Sequence, residues 1–150
     1  MLTRYTGLIL VLMAVAVALA QSQDKEGCRV QITAPEAGSN VAIVQNVAGT
    51  GTVPPGKFLW VFAHRQGLAN WWPEGGGPAK IRNGEWLVNT TFGTEQDSGA
   101  DFEITAAVVD ESTNAQLSKT VQDWARSNYY PGTTFPDYTC KSKEVIVKRK

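Results

Sequence analysis

Residues 57–73 read KFLWVFAHRQGLANWWP and contain the strongest strand signal in the chain. The six consecutive apolar residues 58–63 are rich in aromatic and β-branched types, and they follow the turn sequence Pro54-Pro55-Gly56. A short apolar run of this composition predicts a β-strand that is buried on both faces. We therefore expect residues 58–63 to lie at the centre of a β core.

This strand leads into Trp71-Trp72-Pro73, which is followed by the glycine-rich segment 74–78. Trp and Tyr are favoured at interface hot spots, and their rings can stack on sugar faces or grip a peptide. We predict a ligand-binding site formed by Trp71, Trp72, Tyr129 and Tyr130. Adjacent side chains of an extended segment point in opposite directions, so the pattern also fits one tryptophan in the core and one exposed.

Weaker strand signals surround the central one. Period-two alternation or short apolar runs predict strands at 29–33, 41–49, 79–82, 85–92, 102–109 and 143–148. Asn83-Gly84 predicts a type I′ hairpin turn, because both residues tolerate positive φ. In the strand after it, we expect Trp86, Val88 and Thr90 to share one face.

Residues 112–126 have helical periodicity. Leu117, Val121 and Trp124 recur at helical spacing, and Thr113 with Gln116 fits a capping box. An amphipathic helix is favoured here over the alternative, a further strand.

Two cysteines, Cys28 and Cys140, bracket nearly the whole predicted fold. An even pair in an exported chain predicts a disulfide, and the sequence has no Cys-x-x-Cys motif that would favour a redox site. Cys28 precedes the predicted first strand and Cys140 the last. If those strands are parallel neighbours, the bond joins them at the same end.

Short strands with turn signals every 8–12 residues indicate a mainly β fold, an antiparallel β-sandwich with one amphipathic helix in the last crossover. The chain resembles the bacterial Ig-like and fibronectin type III-like modules of exported proteins. The segments that carry this resemblance are 32–35, 47–50, 59–61, 84–86 and 102–109. The terminal cysteines depart from the antibody pattern. The resemblance implies an Ig-like sandwich with a binding, spacer or scaffold role.

Residues 1–20 combine one basic residue, Arg4, with an apolar run that ends in Ala18-Leu19-Ala20. This order predicts a secretory signal peptide, and an uncleaved N-terminal anchor is the alternative. We predict a flexible segment at 21–27 and a single domain at 28–150. The mature protein is expected to be secreted or periplasmic, without stable membrane insertion.

The charge of the mature chain is nearly balanced. Residues 21–150 carry 13 basic and 14 acidic side chains, a net charge of −1. A balance this close to neutrality predicts no nucleic-acid partner.

Catalytic and metal chemistry have few candidates. His64 is the only histidine in the sequence, which excludes a metal site built on several histidines, and at the end of a buried strand we interpret it as structural. Asp97, Asp101 and Glu103 could supply oxygen ligands to Ca²⁺, although their spacing does not match an EF-hand loop. We assign no catalytic residue, no metal site and no cofactor.

The sequence thus predicts a non-enzymatic exported binding or adhesion module that recognises a carbohydrate or a protein partner through its aromatic loop. The alternative is a small structural subunit or assembly factor of a cell-envelope or secreted complex, which would act through protein contacts.

Overall fold

The structure is a computed structural model, and it describes residues 27–150. The predicted signal peptide at 1–20 and all but the last residue of the predicted segment 21–27 lie outside the described residues. Within residues 27–150, no helix has the length and apolar character that a membrane crossing requires.

The described residues form nine β-strands, one α-helix and a short 3₁₀ turn at Glu95–Asp97. The strands and the helix are β1 (Arg29–Ala34), β2 (Asn40–Val41), β3 (Val44–Thr52), β4 (Phe58–Arg65), β5 (Trp72–Pro73), β6 (Glu85–Thr91), β7 (Asp101–Val109), α1 (Glu111–Ser127), β8 (Cys140–Lys141) and β9 (Val145–Arg149).

The strands form two sheets that pack face to face. One sheet has the order β1-β3-β6, and the other has the order β2-β9-β7-β4-β5, with β8 paired to β7. Every strand pair is antiparallel except β2 with β9. The prediction of a mainly β, antiparallel sandwich with one helix in its last crossover is confirmed.

The alternation predicted for the strand after the hairpin is present in β6. Trp86, Val88 and Thr90 are buried, whereas the residues between them are exposed. One face of such an antiparallel strand meets the core while the other meets water. The buried face of β6 packs against the second sheet and forms part of the main core of the sandwich.

The central strand β4 is buried on both faces, as its composition predicts. Leu59, Val61 and Ala63 belong to the core between the sheets. Trp60 and Phe62 point the other way, into a second core beneath α1 that includes Leu117 and Val121. The helix covers the outer face of this sheet, so β4 has no solvent-facing side over most of its length.

The predicted helix is confirmed as α1, but its capping prediction is wrong. The N-cap is Asp110, whose side chain accepts a hydrogen bond from the backbone N–H of Thr113 at 2.8 Å. The Asp110 carboxylate caps the free N–H groups of the first turn, so Thr113 does not act as the N-cap. Asn128, at φ 51°, ends the helix in the left-handed conformation.

The Asn83-Gly84 turn forms with both residues at positive φ, 52° and 75°. Arg82 and Glu85 exchange backbone hydrogen bonds of 2.9 and 3.0 Å across it. The strand predicted at 79–82 is nevertheless wrong, since these residues form only isolated bridges at Ala79 and Arg82. The strand predicted at 41–49 is split into β2 and β3, which belong to different sheets.

The Cys28–Cys140 disulfide is present, with 6.1 Å between the two Cα atoms. It does not join parallel terminal strands. Cys28 precedes β1 in one sheet, whereas Cys140 lies in β8, which pairs with β7 in the other. The bond therefore ties the two sheets together. The chain crosses from the first sheet to the second after β1, so the parallel neighbour of β9 is β2.

Removal of this bond, as in Cys28→Ser/Cys140→Ser, is expected to lower the free energy of unfolding by about 2–4 kcal/mol, because the cross-link restricts the unfolded chain. The fold should persist, since the buried residues of β4 and β7 remain in place. Urea unfolding of the oxidised protein and of the double variant measures the difference. Equal stability of the two proteins, or an unfolded variant in the absence of urea, would contradict this expectation.

Candidate functional site

The four aromatic residues predicted to bind a ligand come from two segments that are hydrogen-bonded together, one that leads from the end of β4 into β5 and one that follows α1. Trp71 and Thr133 exchange backbone hydrogen bonds, both of 2.8 Å. The indole Nε1–H of Trp72 donates to the carbonyl oxygen of Tyr130 at 3.0 Å. The side chain of Asn70 donates to the carbonyl of Pro131, also at 3.0 Å. The two aromatic segments, which are far apart in the sequence, therefore form one surface.

Trp71 is half-buried and packs towards the second core. Its ring stacks on His64, with 4.4 Å between centroids and an angle of 18°, and meets Phe135 edge-on at 4.8 Å. His64 Nδ1 lies 2.8 Å from the carbonyl oxygen of Asn70, to which it donates. Through these two contacts His64 holds the segment that contains Asn70 and Trp71 in place.

Trp72 is also half-buried, but it lines a groove of about 680 Å³. Tyr130 and Trp124 form another part of the wall, with ring centroids 6.2 Å apart and planes at 73°. This volume lies within the range typical of small-molecule sites. Tyr129 is 68% exposed and does not line the groove.

The two tryptophans thus have different roles, but they do not form a pair of one buried and one exposed ring. Trp71 supports the loop from the core side, and Trp72 faces the groove. Neither ring is fully buried or fully exposed, because the second loop lies against both.

Glu74 is an unexpected member of the groove wall. Only 8% of the residue is exposed, and its Oε2 atom accepts a hydrogen bond from the backbone N–H of Thr91 at 2.8 Å. Burial raises the pKa of Glu74 to about 8, and the bond from Thr91 acts in the opposite direction. A carboxyl group with this pKa is mostly protonated at neutral pH.

The other ionic groups of the groove form a pair. The guanidinium of Arg65 lies 3.0 Å from the carboxylate of Asp97. Asp97 also accepts a hydrogen bond from the backbone N–H of Thr94 at 2.7 Å. This arrangement ties the end of β4 to the 3₁₀ turn.

The carboxylates considered for Ca²⁺ do not converge. Asp97 pairs with Arg65, and Asp101 pairs with Lys148 at 2.9 Å. Glu103 lies on β7 opposite His64. Among residues 27–150 no three carboxylate, histidine or cysteine side chains form a group that could hold a metal ion.

Sequence reasoning did not identify Glu74 and Trp124 as groove residues. A signal for Glu74 was present, because residues two apart on an extended segment share a face, and Trp72 was already a candidate. The helical spacing of Trp124 with Leu117 and Val121 predicts only that it belongs to an amphipathic helix. It lies in the last turns of α1 and is only half-buried.

No protein-family model matches this chain, and no curated protein is significantly similar to it in sequence. The groove is therefore interpreted from its own geometry and chemistry.

Proposed function

We propose that this protein is an exported, non-enzymatic binding module whose ligand occupies the groove beside Trp72. The observation that carries the proposal is the groove itself, about 680 Å³ in volume, with aromatic walls from the two loops and the end of α1. Aromatic rings provide large apolar contact area at low cost in conformational entropy. Carbohydrates and peptides both present surfaces that such walls can contact.

The strand order supports an Ig-like variety of sandwich. In the Ig arrangement, strands A, B and E share one sheet while C, F and G share the other. Here β1, β3 and β6 occupy the first set of positions, and β4, β7 and β9 occupy the second. A buried Trp60 on β4 fits the tryptophan typical of strand C. Its ring faces α1 instead of an inter-sheet disulfide, which is a departure from the antibody pattern.

Export is supported by the disulfide and by the composition of residues 1–20. Disulfides persist in oxidising compartments such as the periplasm and the extracellular space. We propose that the mature protein works in one of these two locations.

A titration of intrinsic tryptophan fluorescence with a panel of oligosaccharides and short peptides tests the proposed function. Binding beside Trp72 and Trp124 should change the emission and raise the melting temperature, because a ligand that binds only the folded state stabilises it. Unchanged emission and unchanged melting temperature across the whole panel would contradict a ligand-binding role for the groove.

Trp72→Ala is expected to abolish the fluorescence response to a ligand of the panel. It should also lower the free energy of unfolding by about 1–2 kcal/mol, because the half-buried indole donates a hydrogen bond to the Tyr130 carbonyl. Tyr129→Ala is the matched control, since Tyr129 lies outside the groove and should leave binding unchanged. Equal loss of binding in both variants would place the ligand elsewhere on the aromatic surface.

A further inference from the structure

The carboxyl group of Glu74 has one hydrogen-bond donor and no cation within the described part of the chain. Its Oε2 atom accepts from Thr91, and no described residue donates to its Oε1 atom or forms a salt bridge with it. A buried carboxylate is normally paired, because its transfer from water is costly. Glu74 therefore lacks the partner that its ionised form requires.

Glu74 and Trp72 line the same side of the groove. The backbone N–H of Glu74 donates to the carbonyl of Val61 at 2.8 Å, so Glu74 continues the pairing of β5 with β4. Residues two apart on such a segment share a face and lie roughly 7 Å from each other. The carboxyl group and the indole can thus contact neighbouring parts of one ligand.

The surrounding charges favour a positive ligand group. The other ionisable side chains among the described residues that line the groove are Arg65, Asp97 and Tyr130. Arg65 and Asp97 neutralise each other, so the ionised Glu74 carboxylate is left as the uncompensated charge of the groove.

We propose that the groove receives a lysine side chain of a protein partner, with the Glu74 carboxylate as its counter-ion and the ring of Trp72, on the same face of β5, as the aromatic wall beside it. This inference rests on the proposed binding function and specifies the ligand. Aromatic rings attract cations across their faces. The apolar stem of lysine can lie along the walls while its ammonium group reaches inward.

The recessed position of Glu74 favours lysine over an amino sugar. A carboxyl group in a residue that is only 8% exposed is reached by a charge at the end of a slender chain. The amine of an amino sugar is attached directly to a bulky ring, so it has less reach than the ammonium group of lysine.

Binding of lysine should release a proton from Glu74. Lysine keeps its charge throughout the neutral range, with an unperturbed pKa near 10.4. The carboxyl proton therefore leaves to solvent as the ammonium ion takes its place, and no covalent bond forms. Affinity should rise with pH and level off above about 8, where Glu74 is already ionised in the free protein.

The test compares the blocked peptide acetyl-Gly-Lys-Gly-amide with the same peptide acetylated on the lysine Nζ, at several pH values between 6 and 9. The lysine peptide should bind at least about tenfold more tightly at pH 8, and its affinity should rise by up to about tenfold per pH unit below that pH. Glu74→Gln should reduce its affinity to that of the acetylated peptide and remove the pH dependence. Tyr129→Ala should change neither result.

Three outcomes would overturn the inference. Equal affinity for the two peptides would show that the charge of the lysine does not contribute to binding, although the groove would remain a binding site. Tighter binding of glucosamine than of the lysine peptide would assign the groove to an amino sugar. No response to either peptide would overturn the lysine assignment alone, because the wider ligand panel tests whether the groove binds anything. A folded Glu74→Gln protein, checked by circular dichroism, makes each comparison valid.

Discussion

Trp60→Ala is expected to lower the free energy of unfolding by about 4–5 kcal/mol, a large part of the stability of an ordinary small domain. Trp60 is fully buried, and its Nε1–H donates to the side-chain oxygen of Asn114 on α1 at 2.9 Å. The substitution leaves a large cavity beneath the helix and removes this bond. Because Trp60 joins β4 to α1, the helix should lose its packing before the two sheets separate.

Urea unfolding followed by circular dichroism measures this effect, and the helical signal reports on α1 separately. Leu87→Ala is the matched control, because Leu87 is 62% exposed and should cost less than about 0.5 kcal/mol. A loss below about 2 kcal/mol for Trp60→Ala would show that α1 is not anchored through this ring. If Trp72→Ala melts as low as Trp60→Ala, Trp72 is a core residue, and its assignment to a ligand site fails.

The stability of the protein is expected to fall as the pH rises from about 4.5 to about 8, because of Glu74. Below pH 4.5 the carboxyl group is protonated in both the folded and the unfolded chain, so its contribution is constant. Between its ordinary pKa of 4.5 and its folded pKa of about 8, the unfolded chain loses the proton while the folded chain keeps it. The difference between these two pKa values corresponds to about 5 kcal/mol at most, and the loss of stability levels off above pH 8.

Three other carboxylates have the opposite effect on the pH dependence of stability, and they act in a lower pH range. Asp110, Asp123 and Glu144 have pKa values below the ordinary range, held there by hydrogen bonds from Thr113, Lys119 and Lys141 respectively. Their stabilising effect is present above their unfolded pKa values and is lost only as the pH falls below about 4.5. These three carboxylates therefore do not contribute to a change of stability between pH 5 and 8, and the comparison with Glu74→Gln isolates the contribution of Glu74 in that interval.

Glu74→Gln separates these effects. The amide can still accept the hydrogen bond from the Thr91 N–H, and it has no proton to lose. The variant should be more stable than the parent protein at pH 8, and the two should be similar at pH 4. Urea midpoints at pH 4, 5, 6.5 and 8 provide the comparison. The same slope in both proteins would show that Glu74 is not the group responsible.

The candidate site was predicted only in part, for reasons that specific residues illustrate. The four aromatic side chains were grouped by residue type, and hydrogen bonds do bring their two loops together. Composition could not show that Tyr130 lines the groove and Tyr129 does not, since the two are identical neighbours. It also could not distinguish Trp71 from Trp72, because the stacking of Trp71 on His64 depends on where Phe135 returns to the sheet.

The sequence by itself determined the elements that depend on local patterns. The aromatic and β-branched run of β4, the alternation along β6, the positive-φ turn at Asn83-Gly84 and the helical spacing of α1 are properties of neighbouring residues. Local sterics and the partition of side chains between core and water act at this range, so the fold class follows from them.

Only the tertiary structure decided which surfaces meet. The Cys28–Cys140 bond joins two sheets because β1 and β8 pair with different partners. The pKa of Glu74 is raised because segments that are separated in the sequence exclude water from its carboxyl group. The groove exists because the loop after α1 meets the segment after β4. Desolvation depends on the sum of all neighbours in space, and no pattern within a short window of sequence contains that sum.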